Sequence, residues 1–254
     1  MIKKIVLALI LSASLLFAED ANTTKEDNTT EPLMTHTELG YIETQGNTNT
    51  KTFSLDFTAK KGWHKHKLKL DIDAQYARDS GVESKNSFST ELNYDYAFTK
   101  RFAFNYLVGY KIDKFSGFDS QFYTGPGAVY KILILKAHKW DISANMLYAQ
   151  DEIARDTSVT PPIDAHTNTY ASYIAKTTYI WQILDNLKFI QNLSYRSDFQ
   201  DERNYFVISK SAIESKINGN FSLGLNYKID YKNNPPAGKE YADRTFTASL
   251  IIDY

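Results

Sequence analysis

The stretch KLKLDIDAQY, Lys67 to Tyr76, decides the fold. Leu68, Leu70, Ile72, Ala74 and Tyr76 take one set of alternate positions, and Lys67, Lys69, Asp71, Asp73 and Gln75 take the other. A period of two belongs to a strand with one apolar and one polar face, whereas helical spacing would set Leu68 and Leu70 far apart around the axis. The same alternation returns from Phe88 to Tyr96 and from Phe221 to Tyr231. Counted between turn signals, about twelve such runs fill the chain, over 35–44, 52–62, 66–78, 87–97, 102–114, 121–135, 140–150, 169–181, 187–197, 205–217, 221–232 and 244–254. Two are weaker. Ser209, Ser211 and Ser215 interrupt the apolar face of 205–217, and Pro126 between Gly125 and Gly127 predicts a bulge or local break, because proline lacks the ladder donor.

Two-faced strands occur in soluble sandwiches and in membrane barrels, so length and connections must choose. Most runs have about ten or more residues, the span of a tilted strand crossing a bilayer, and exceed the five or six usual in soluble sheets. Every second connection is tight ("FTKR", "KAHK", "NGN"), while the others are longer and more polar ("DSGVES", "DEIARDTSVTPPIDAHT", "NNPPAGKEY"). Short periplasmic turns and longer outer loops are what a transmembrane barrel shows. With the N-terminus in the periplasm, Trp63, Trp140 and Trp181 all fall at periplasmic strand ends, where an aromatic girdle meets the membrane interface. The expected fold is therefore all-β: a transmembrane antiparallel up-and-down barrel of about 12 strands over residues 34–254. Its expected location is the outer membrane of a Gram-negative bacterium.

Composition agrees with this. The chain of 254 residues holds 18 Tyr and 15 Phe, yet its mean hydropathy is -0.42. There is apolar surface to bury but no long apolar run. The absence of cysteine excludes a disulfide framework, thiolate metal sites and a cysteine-linked lipid anchor. A net charge of -1 excludes the basic footprint of a nucleic-acid binder.

The first residues, MIKKIVLALILSASLLFAED, read as a secretory signal. Lys3 and Lys4 precede an apolar core from Ile5 to Phe17 that is too short to span a membrane, and cleavage is expected after Ala18. Residues 19–33 form a polar lead-in that cannot repay the entropy of ordering. Asn22 and Asn28 each open an Asn-Thr-Thr block preceded by an acid, a possible glycosylation pattern, although a simple low-complexity linker explains it as well. At the other end Phe246, Leu250, Ile252 and Tyr254 share one face of the last strand. A terminal aromatic on that face is the expected signal to the barrel assembly machinery during biogenesis.

Two stretches resemble the YdiY-like salt-induced outer membrane protein family: Glu43 to Gly81, with its Gly46-Asn47 start, and Tyr94 to Ile132. The second carries the Tyr94-Asp95-Tyr96 triplet and DKFSGFDSQFYTGPG at Asp113 to Gly127. The resemblance covers about half the chain beyond the signal. It implies an outer-membrane barrel of undefined activity, and names no substrate.

Strand parity assigns to the lumen Lys67, Lys69, Lys111, Lys176, Lys188, Arg196, Lys210, Lys216, Lys228 and Lys232. It likewise assigns Glu38, Asp71, Asp73, Glu91, Asp95, Asp113, Asp141, Glu214, Asp230 and Asp253. The signs balance, whereas strongly selective pores use rings of one sign. A cross-lumen network follows, in either a narrow weakly selective pore or a plugged structural barrel, and the family resemblance implies a link to envelope or osmotic stress. The alternatives are an outer-membrane lipid-modifying enzyme or a periplasmic soluble β-protein. Catalysis is not expected, because only His166 reaches an outer loop and no carboxylate beyond Asp164 accompanies it. His64 and His66 lack a third ligand and are flanked by lysines, so they read as a solvated turn. No metal or cofactor is expected, and the partners are outer-membrane lipid and the assembly machinery, with the barrel a monomer.

Overall fold

A computed structural model describes residues 30–44, 50–157, 160–236 and 239–254. The signal segment, Ala18, Asn22 and Asn28 lie outside the described residues. Twelve strands follow in chain order: β1 (Met34–Thr44), β2 (Thr50–Trp63), β3 (His66–Asp79), β4 (Val82–Ala97), β5 (Phe102–Asp113), β6 (Phe118–Ile134), β7 (His138–Ile153), β8 (His166–Leu184), β9 (Leu187–Asp198), β10 (Tyr205–Asn218), β11 (Phe221–Lys232) and β12 (Ala242–Asp253). Each pairs antiparallel with its neighbours in sequence, and β1 pairs with β12 to close the barrel. The expected fold is the observed one.

The connections at the end carrying both strand termini are short, at 64–65, 98–101, 135–137, 185–186 and 219–220. Those at the far end reach their greatest length at 154–165 and 233–241, which makes the terminal end periplasmic. One connection differs from expectation. DSGVES is no long loop, because β4 starts at Val82 and only Ser80 and Gly81 turn the chain, with φ of 49° and 83°. Positive φ at both central residues makes a primed turn, whose twist matches the strands it joins, so β3 and β4 run on almost to its tip.

The break expected at Pro126 is present. The β6–β7 ladder runs to Thr124↔Tyr148 and resumes in the same register at Gly127↔Asn145. The closing β1–β12 ladder is the short one: it joins His36–Leu39 to Leu250–Asp253, whereas β1 and β2 pair along the whole of β1. Reciprocal backbone bonds between Thr35 and Tyr254, at 2.6 and 2.9 Å, extend this seam at its periplasmic end.

The outer surface is apolar. Met146, Phe246, Leu223 and Leu225 are among its most exposed large side chains, while charged and amide residues such as Glu38, Asn105, Asp151 and Glu214 are buried inside. Aromatic rings gird both ends of this band. On the periplasmic side Trp63 stacks on His66 at 5.5 Å, and the contact passes through Tyr96 and Phe98 to Phe102. Across the same rim His138 stacks on Tyr179 and Trp181. On the outer side one continuous chain of rings runs Phe199, Tyr173, Tyr195, Tyr205, Tyr231, Tyr241, with centroids 5.1 to 6.4 Å apart. A closed barrel with a polar interior, an apolar exterior and two aromatic girdles is built for the outer membrane.

A closed ladder resists detergent, so unheated protein is expected to migrate differently from boiled protein on a denaturing gel. Equal mobility, together with solubility in plain buffer, would contradict a membrane barrel.

Candidate functional site: the charged lumen

The alternation that sends leucine and tyrosine outward sends charge inward, and a narrow lumen forces those charges to meet. Lys111 of β5 reaches Asp230 of β11 at 2.5 Å, and Lys228 of β11 reaches Asp73 of β3 at 3.1 Å. Lys176 of β8 pairs with Glu91 of β4, whose other oxygen accepts the Tyr123 hydroxyl at 3.1 Å. These strands are not neighbours, so the pairs bridge the lumen at mid-height. Beside them, Leu107, Leu147 and Ile174 point inward and pack with Tyr123 as a small apolar core inside the barrel.

Toward the outer mouth a second layer closes over the first. Arg196 is 6% exposed, with its guanidinium 4.3 Å from the Phe206 ring and 5.0 Å from that of Tyr123. Asp151 lies 3.7 Å from it and accepts hydrogen bonds from Gln121 and Tyr170. Lys232 sits over Phe118 and donates to the Ser116 carbonyl beneath the 114–117 connection, while a cavity of about 220 Å³ lies beside Ser54, Gln75, Lys85 and Asp243. Lys85 joins Asp113 and Asp243 at 3.0 and 3.2 Å. Between these layers, beside β3 to β5 and β11, remains a cavity of about 70 Å³ lined by Asp73, Lys111, Lys228 and Asp230.

Charges also pair toward the periplasmic end. Glu38 accepts hydrogen bonds from Lys210, Asn226 and Ser249, Lys210 also reaches Asp56, and Lys188 pairs with Glu214 at 2.7 Å. Asp56, Lys85 and Asp243 are absent from the sequence-derived lumen set. Parity alone could have found Asp56, which shares its face with Ser54 and Thr58. Lys85 and Asp243 lie in strand extensions that read as loops.

The other sequence-predicted sites fall as follows. Phe246, Leu250 and Ile252 face outward on β12, and Tyr254 follows it at the periplasmic rim, 87% exposed. His64 occupies the 64–65 turn with φ of 52°, and His66 belongs to the aromatic girdle, bonded to the Tyr94 hydroxyl at 2.7 Å. The two imidazoles therefore have separate roles. His166 opens β8 and hydrogen-bonds the Asp164 backbone carbonyl at 2.9 Å. Outside the spans, Arg203 holds the Asp201 carboxyl below its ordinary pKa through side-chain and backbone hydrogen bonds.

The family model described as "Protein of unknown function, DUF481" matches residues 37–254, which is all of the barrel but the first three residues of β1. The chain belongs to this family. It is similar to the "Uncharacterized protein YdiY" of Escherichia coli (strain K12), at 25% identity over 229 residues, covering 87% of this chain and 82% of that one. The resemblance read from Glu43–Gly81 and Tyr94–Ile132 is thereby borne out. Among solved structures, the NanC porin is similar with a TM-score of 0.47 at 10% identity, covering 87% of this chain and 97% of that chain. The outer membrane channel DcaP of Acinetobacter baumannii gives a TM-score of 0.42 at 9% identity, covering 92% and 100%.

Proposed function

We propose that this protein is a plugged structural barrel that maintains the outer membrane under osmotic stress, and not a standing pore. The observation that carries the reading is the mid-lumen layer, in which Lys111–Asp230 ties opposite strands and Lys228–Asp73 ties strands four apart in the ring. The link to osmotic stress follows from the family resemblance. Purified barrel in liposomes should let a small sugar in no faster than empty liposomes do, as read by osmotic swelling. Rapid swelling would refute the plug. A strain lacking the gene should leak periplasmic protein after a salt upshift and recover with the wild-type chain; an intact envelope without the gene would remove the proposed role.

A gated narrow passage is a second reading, favoured by one feature. Among the described residues the mid-lumen ties are the tips of long lysine side chains and not a folded plug segment, so breaking the pairs loosens this layer without unfolding the wall. Because both signs line that passage, it would be weakly selective. In a salt gradient, a variant opened at this layer should show a cation-to-anion permeability ratio within about threefold of unity, since the described lumen residues form no single-sign ring. A ratio far from unity would refute that lining.

A further inference from the structure

We propose that His36, Glu38 and Glu214 form a binding site for a divalent transition-metal ion of zinc's class at the periplasmic end of the lumen. His36 and Glu38 stand two apart on β1, on the lumen face, and Glu214 comes from β10, three strands away around the ring. One ligand atom from each lies within 4.8 Å of the other two. Donors around a tetrahedral ion sit roughly 3.4 Å apart, given zinc bonds of about 2.0 to 2.2 Å. Small side-chain rotations close the difference.

The imidazole is already aimed. Asp253, its ladder partner on β12, holds Nδ1 at 2.6 Å, which leaves Nε2 facing Glu38 Oε1 at 3.3 Å. A carboxylate on one ring nitrogen with acceptors facing the other is the outer-shell arrangement of metal-binding histidines. On ligation Nε2 would carry no proton, and Nδ1–H would donate to Asp253.

Both glutamates are buried, at 6% and 3% exposure. The Lys188 ammonium lies 2.7 Å from Glu214 Oε2 as an ion pair. Charge then points to a cation. Glu38, Glu214 and Asp253 bring three carboxylates around His36, against Lys188 on Glu214 and a Lys210 that Glu38 shares with Asp56. Lys210 also holds Asp56 at 3.1 Å, so Glu38 can turn to an ion without stranding that ammonium. Nitrogen and carboxylate donors without thiolate suit zinc over softer ions. The ion would tie β1 to β10 beside the seam where the β1–β12 ladder is short.

The test uses untagged barrel folded in detergent, stripped by chelator and titrated with zinc chloride in a calorimeter. One ion per chain is expected. His36→Gln and Glu214→Gln should each weaken binding by at least about 100-fold, and Asp253→Asn by about 10- to 100-fold with every ligand retained. The heat-dependent gel shift of each variant shows that it has folded. Wild-type barrel that takes up no zinc, or binding of equal strength in both ligand variants, overturns the site.

Discussion

Gly125→Val is expected to abolish barrel assembly. Gly125 faces inward on β6 beside Pro126, where β7 approaches closely. A Cβ there would run into the Met146 carbonyl and lie 3.0 Å from Leu147 Cα. The obstacle is strand backbone inside the gap in the ladder, which can retreat only by pulling apart the flanking pairs Thr124↔Tyr148 and Gly127↔Asn145, so the cost should exceed about 4 kcal/mol. Gly81→Ala is the control. Its φ is 83°, but a Cβ there meets nothing within 4 Å, so the cost is only about 1 kcal/mol of left-handed strain. The fraction of protein running as the unheated compact band measures both. A valine variant folding at wild-type yield would show that the close approach is not rigid.

Asp73→Ala is expected to destabilise more than removal of both partners. Lys228 sits between Asp73, Asp230 and Asp56, and Asp73 is the carboxylate it touches. Taking away Asp73 leaves an ammonium in a narrow lumen with its best acceptor gone. Removing one partner of a buried pair costs several kcal/mol, whereas replacing both is often near neutral. The two side chains retain 22% and 19% exposure, so the single variant should lose about 1 to 3 kcal/mol. Asp73→Ala with Lys228→Ala should recover most of it. Urea midpoints of the folded barrel report the difference, and a double variant no better than the single would mean that Lys228 is stable alone.

The barrel was legible because its signal is repeated. Lys67–Tyr76, Phe88–Tyr96 and Phe221–Tyr231 each carry a clean period of two, and a closed sheet needs no further information than twelve such runs with alternating turns. Strand ends were less legible. Val82–Asn86 reads as polar loop, yet it extends β4, since a two-residue turn at Ser80-Gly81 lets the ladder continue beyond the apolar band. Asp243 and Lys85 were hidden for the same reason. The lumen charges could be assigned by parity, but their partners could not. Lys111 and Asp230 are far apart in sequence, and only the closed circumference brings β5 opposite β11. His36 gave no signal either: its companions Glu214 and Asp253 lie on β10 and β12, and the seam alone gathers them. The inward Leu107, Leu147 and Ile174 break the polar pattern of their strands, which marks where the lumen is packed instead of wet.

Single-channel conductance in a planar bilayer tests the plugged lumen most directly, with wild type compared against a variant carrying Asp73→Asn, Lys111→Met, Lys228→Met and Asp230→Asn together. Wild type should show no sustained unitary steps, and the variant, with its mid-lumen ties removed, should show them. A steady unitary current through the wild-type barrel would contradict the account.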